Sequence, residues 1–224
     1  MLLPRYLFTG DFEKLRPELL QIPFRVRRFE PGEFLWQAGD GLNHPHLIDG
    51  GLAKCTVADD TGRRRCISWH GPGTIFPVYH RNDFEIEQSI TLEAVTEVTS
   101  LEFSRADHIA LAARNPEFAL TTIDWYSKYV NLLLYTASHV ALGSVTASLA
   151  SVLMLLFRNA PDAALADSTE LRVTQTELAE LLGVDRASLV RALGALRSAG
   201  AVATRRGVIE LTDAVALSRL SESV

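Results

Sequence analysis

The sequence of 224 residues predicts an α+β fold in which the strands come first and the helices follow. Three observations predict it: short β-prone runs fill the first hundred residues, a long and sparsely charged stretch comes next, and a compact helical segment closed by a β-ribbon ends the chain. The composition, 47% hydrophobic and 22% charged, is that of an ordinary soluble globular protein. The pattern places a β domain at 1–115, a long helix at 116–143 and a second domain at 144–224.

The β domain is read from its punctuation. The runs Phe34-Leu35-Trp36, His46-Leu47-Ile48, Ala53-Lys54-Cys55-Thr56-Val57, Cys66-Ile67-Ser68-Trp69 and Thr91-Leu92-Glu93-Ala94-Val95 are β-branched or alternating. Turn signals separate them at Pro31-Gly32, Gly39-Asp40, Gly50-Gly51, Asp60-Thr61-Gly62 and Gly71-Pro72-Gly73. Such close spacing implies a barrel or sandwich. No low-complexity stretch and no fixed-period repeat interrupts it.

Between Lys128 and Arg158 lie twenty-nine residues without an acid, lysine or arginine. On length alone this stretch would cross a bilayer. Asn131, Thr136, Ser138, His139, Gly143, Ser144, Thr146, Ser148 and Ser151 break its apolarity, so it is expected to form two soluble helices meeting near Gly143-Ser144, with no membrane partner. The first, Pro116 to Leu142, is apolar enough to pack against a second copy of itself, which predicts a homodimer.

The C-terminal segment carries the sharpest signal. Thr174-Gln175-Thr176-Glu177 is a capping box that satisfies orphan amides at a helix start. Gly183 supplies the positive φ that ends that helix after Leu182. Asp185 caps a second helix, Arg186 to Ser198, whose Leu189, Leu193 and Leu196 face inward and leave Arg186, Ser188, Val190 and Arg191 outward. Two helices joined by such a turn are a helix-turn-helix, and the N-terminal residues of its second helix meet base edges in the major groove. Arg186 and Arg191 are the expected base readers, because a guanidinium fork matches guanine O6 and N7.

Beyond it, Ala201–Thr204 and Val208–Leu211 read as a hairpin with the basic tip Arg205-Arg206-Gly207, a wing whose arginines would meet phosphate. Residues 184–208 hold five arginines and one acid inside a chain of net charge −5, which is the electrostatic footprint of a nucleic-acid site. Thr174, Gln175, Arg186, Ser188, Arg191, Arg205 and Arg206 are therefore the expected contacts to double-stranded DNA, at a palindromic site if the protein is a dimer.

Pro31-Gly32-Glu33, Gly39-Asp40, Gly50-Gly51, Gly62-Arg63 and Pro72-Gly73, followed by a long helix and the helix-turn-helix, together resemble the Crp/Fnr family of transcription regulators across nearly the whole chain. The resemblance implies a cyclic-nucleotide-binding-like β-roll that senses a small molecule, a dimerisation helix, and a C-terminal winged helix-turn-helix working with RNA polymerase in the cytoplasm. It implies no enzyme activity and no fixed cofactor.

Within that resemblance the effector class differs from cyclic AMP. The places where the nucleotide-binding branch has Gly-Glu and Arg-Ser hold Pro77-Val78 and Gln88-Ser89, which give neither a carboxylate for ribose nor a cation for phosphate. Leu133 and Leu134 occupy the effector-facing positions of the long helix. An apolar or aromatic effector is expected, lined by Tyr79, Phe84, Gln88, Trp125, Tyr126, Tyr129, Leu133 and Leu134. This most resembles the branch sensing halogenated phenols. Each of these rings taken alone reads as ordinary core.

Three other chemistries have residues in this sequence that would suit them. Cys55 and Cys66, the only cysteines, would sit opposite each other across a hairpin turning at Asp60-Thr61, as a redox pair, although two reduced buried thiols are the plainer reading. His80 lies near the place where the haem-binding branch has its ligand, after Pro72-Gly73-Thr74-Ile75-Phe76. His44-Pro45-His46 has the spacing of a cupin-like metal enzyme, but no glutamate or third histidine completes it, and two surface histidines at a strand start are expected. Arg25-Val26-Arg27-Arg28 and Arg63-Arg64-Arg65 are further basic clusters. The second is expected as a solvated turn, with RNA polymerase as the alternative contact.

Overall fold

A computed structural model describes residues 6–37, 40, 44–58, 64–76, 90–142, 144–158 and 169–222. Tyr79, His80, Phe84, Gln88 and Arg63 lie outside these residues, as do Pro77, Val78 and Ser89. The order of elements is the expected one, a β-sheet domain followed by a long helix and a winged helix-turn-helix.

By its contacts the chain divides into two units. One comprises Leu7–Thr61 and Ile67–Tyr129, the other Met1–Tyr6, Gly62–Cys66 and Val130–Val224.

The first unit is built on strands β1 (Leu7–Phe8), β2 (Phe24–Phe29), β3 (Phe34–Trp36), β4 (His46–Gly50), β5 (Ala53–Ala58), β6 (Arg64–His70), β7 (Ile75–Phe76), β8 (Ile90–Ala94) and β9 (Val98–Phe103). They form a five-stranded sheet of order β1-β6-β5-β8-β3 and a four-stranded sheet of order β2-β9-β4-β7. Inward residues alternate along them, so Cys55, Leu92, Leu47, Ile75 and Phe103 are all buried. Gly51, at φ +84, makes the turn between β4 and β5, where an added Cβ would lie 2.0 Å from the Glu97 carbonyl oxygen. A short helix α1 (Arg16–Leu19), α2 (Arg105–Arg114) and the first half of α3 (Pro116–Leu142) complete this unit. Ser104 caps α2 by accepting from the Asp107 amide.

The structure corrects two surface expectations. His46 is buried and shares a 3.0 Å hydrogen bond with Ser100 Oγ, while His44 precedes the strand and is exposed. The hydrophobic flank of β4 therefore takes the second histidine inward. Arg64 and Arg65 belong to β6 and are half-buried, so they do not form a solvated turn. Arg65, at the start of β6, belongs with Gly62–Cys66 to the second unit, and there its stem lies against Gly183, whose added Cβ would be 3.2 Å from Arg65 Cδ.

In the second unit α4 (Val145–Arg158) packs against α5 (Gln175–Leu182), α6 (Arg186–Ser198) and α7 (Ala214–Glu222). Leu149, Leu153, Leu178, Leu181, Leu189, Leu196 and Leu217 form its core. A three-stranded sheet of order β10-β12-β11 follows, made of β10 (Glu170–Arg172), β11 (Val202–Arg205) and β12 (Val208–Leu211). No helix among the described residues is long and apolar enough to cross a membrane.

Candidate nucleic-acid interface

The interface is assembled from three local devices. At the first, Thr174 Oγ1 accepts from the Glu177 amide at 3.2 Å, and Glu177 returns a carboxylate oxygen to the Thr174 amide at 2.7 Å. This reciprocal box fixes the start of α5 and leaves Thr174 and Gln175 exposed. Gly183, at φ +66 and ψ 35, ends α5 in the left-handed region. Its amide and that of Val184 return to carbonyls of α5, which tightens the turn into α6.

The second device is a polar chain at the start of α6. Asp185 accepts from the Ser188 amide at 2.8 Å and from the Ser188 hydroxyl at 2.7 Å. Those two bonds hold the Asp185 carboxyl below the usual carboxylate range. Ser188 Oγ in turn accepts from Arg191 at 2.9 Å, so the guanidinium is oriented along the exposed side of the helix. Arg186 is exposed one residue past the cap.

The third is the wing. Antiparallel pairing of Arg205 with Val208 sets Arg206 and Gly207 at its tip, with Gly207 at φ +72. Arg206 is exposed, whereas Arg205 makes a 2.5 Å ion pair with Glu170 of β10. Thr174, Gln175, Arg186, Arg205 and Arg206 line one cleft of about 680 Å³ with Thr176, Thr204 and Gly207. Ser188 and Arg191 lie outside that cleft, further round α6. All seven expected DNA contacts thus belong to α5, α6 and the wing. Glu170 escaped the sequence reading because β10 joins the wing through residues about forty positions away.

The expected effector residues are divided. Trp125 and Tyr129 stack at 5.1 Å, and Phe8, His70 and Phe76 close round them. Trp125 Nε1 donates to Thr74 Oγ1 at 3.1 Å. His70 is wholly buried, shares a 2.9 Å hydrogen bond with Ser68 through Nε2, and has no partner for Nδ1 among the described residues. Burial pushes the His70 pKa down to about 3 and that of the Cys55 thiol up to about 12. Tyr126 is partly exposed at the edge of this cluster, its ring meeting Trp125 edge-on at 5.5 Å, whereas Leu133 and Leu134 are exposed on α3. His70 was missed because the rings around it come from Phe8, Phe76 and α3, far apart in sequence. Cys55 and Cys66 are both buried and not joined in a disulfide. No group of three metal-ligating side chains occurs among the described residues.

Residues 147–220 match the family model for a Crp-like helix-turn-helix domain. The chain is 25% identical over 213 residues to the cyclic AMP receptor protein of Thermus thermophilus, covering 94% of this chain and 95% of that one. Among solved structures it resembles a CooA mutant from Carboxydothermus hydrogenoformans, with TM-score 0.75, 17% identity, and 96% and 100% of the two chains covered. CprK complexed with OCPA gives a TM-score of 0.72 at 15% identity, over 99% and 100% of the chains. The capped helix pair and the wing agree with the matched Crp-like helix-turn-helix domain, and the chain has a Crp/Fnr-like fold.

Proposed function

We propose that this protein is a Crp/Fnr-type DNA-binding transcription regulator, a homodimer that reads a palindromic site through α6 and is controlled by an uncharged apolar or aromatic effector bound in its β domain. The observation that carries the DNA reading is the Asp185–Ser188–Arg191 chain, which pre-orients one arginine on the exposed side of a helix whose start is fixed by the Asp185 cap. Arg186 and Arg191 read guanine, and Arg206 holds phosphate. Thr174 and Gln175 contact the backbone at the N-terminus of α5.

The dimer reading is supported by the outer stripe of α3. Leu120 and Leu134 are 61% and 65% exposed, with Ile123 and Val130 between them at helical spacing. Such a stripe on a helix of 27 residues suits pairing with a second copy. For the effector, the described ring cluster at Trp125 and Tyr129 offers neutral polar groups, with the His70 imidazole and the Cys55 thiol kept uncharged by burial, which suits a phenol better than a nucleotide phosphate. RNA polymerase is the expected partner on DNA.

The test is selection of duplexes from a random pool, followed by anisotropy titrations. Arg191→Ala is expected to cost about 1–3 kcal/mol on the selected site and little on random DNA. Arg206→Ala is expected to weaken both alike and to lower the salt slope by about one. Equal losses for both variants on both DNAs defeat these roles. A thermal-shift comparison of chlorophenols with cyclic nucleotides tests the effector, since a ligand of the folded state raises apparent stability by mass action.

A further inference from the structure

The outer face of α6 carries more than its arginines. Arg186, Val190 and Gly194 follow at intervals of four, and Ala187 and Arg191 form the adjoining row. Val190 is 43% exposed, although the other branched apolar residues of α6, Leu189, Leu193 and Leu196, are buried. It makes no contribution to the core and stands between two guanidinium-bearing positions. Gly194 is the second anomaly. Glycine is the poorest helix former after proline, yet a Cβ at 194 would meet nothing within 4 Å. Packing among the described residues therefore does not require a glycine there, and the face is left open to a close approach from outside.

Resting on the reading that α6 enters the major groove, we infer that Val190 is a specificity-determining residue that reads the C5 methyl of a thymine, with Gly194 clearing the approach of the DNA. The thymine C5 methyl is the one bulky apolar group on the major-groove edges of the bases; apart from the small C5–H of cytosine, the features there are hydrogen-bond donors and acceptors. A valine placed against a donor or acceptor would strip its water and give nothing in return. Against a methyl it removes apolar surface from water on both sides. The flanking arginines fix the frame: Arg191 is adjacent to Val190 in sequence, so the thymine neighbours the base that Arg191 reads.

The experiment uses full-length protein and a duplex selected from a random pool. Each thymine is replaced in turn by deoxyuridine, which deletes the methyl and changes nothing else in the groove. At one position in each half-site the replacement is expected to weaken wild-type binding about fourfold, the worth of roughly one buried methyl. The same replacement is expected to leave Val190→Ala unchanged, because the partner is already gone. Gly194→Ala is expected to raise the melting temperature while weakening DNA binding severalfold, two effects of opposite sign that a purely structural role would not give. The inference is overturned if every deoxyuridine costs wild type and Val190→Ala equally, or if Gly194→Ala binds as tightly as wild type. Failure of wild type to enrich any sequence overturns the groove reading itself, whereas enrichment without a coupled thymine removes only the role of Val190.

Discussion

Arg205 and Arg206 are neighbours in sequence but differ in what they have to give. Arg205 already neutralises Glu170 at 2.5 Å, whereas Arg206 stands exposed at the tip. Glu170→Gln is therefore expected to strengthen binding to random DNA and to raise the salt slope by about one, as Arg205 is released to phosphate. An unchanged slope in salt titrations would show that the pair persists on DNA or that Arg205 never reaches it. Gly183 is constrained twice, by φ +66 and by the Arg65 stem 3.2 Å from where a Cβ would sit. Gly183→Ala should destabilise the fold by about 1–2 kcal/mol in urea unfolding, because an L-residue is strained in that conformation. Trimming the stem in Arg65→Ala should recover the part due to crowding and leave the part due to the backbone.

Helices α5 and α6 were legible because their ends are written locally. Thr174, Glu177, Gly183 and Asp185 each act within four residues of where they stand, and the structure places the caps at those residues. The strand Phe34–Trp36 was legible for the same reason, since turn residues bracket it. Strand β2 was not, because Arg25, Arg27 and Arg28 make it read as a charge cluster. It is an edge strand, exposed along most of its length, where charged residues are tolerated. The ring cluster around His70 was illegible too, because burial there depends on contacts from three distant segments. At this scale Thr174→Ala is expected to cost about 1 kcal/mol of stability by unmaking the capping box, measurable by chemical denaturation. On α3, Ile123→Asp, at a site 60% exposed, should leave the fold intact and shift sedimentation from dimer to monomer. A dimer that survives this change would place the interface elsewhere.

At the scale of the molecule, three histidines buried among the described residues make stability fall in acid. Burial lowers the pKa of His46 to about 4 and those of His70 and His108 to about 3. In the unfolded chain each takes up a proton as the pH falls through about 6.5, while in the folded chain it stays neutral. The unfolded state then binds more protons, so stability is lost below pH 6.5 and continues to fall until the native pKa values are reached. Each group adds up to about 1.4 kcal/mol per pH unit to that slope. His70→Gln should flatten the dependence of the urea midpoint on pH between 6.5 and 4, and an unaltered slope would show that His70 does not titrate this way.

The basic segment 184–208 sits in a chain of net charge −5, so the remainder carries the entire acidic surplus. Any polyanion drifting near the protein is thus repelled by the acidic surplus and drawn to that segment. Encounters will be rare but already oriented, and stray captures on unrelated nucleic acid will be short-lived, which frees the molecule to keep searching.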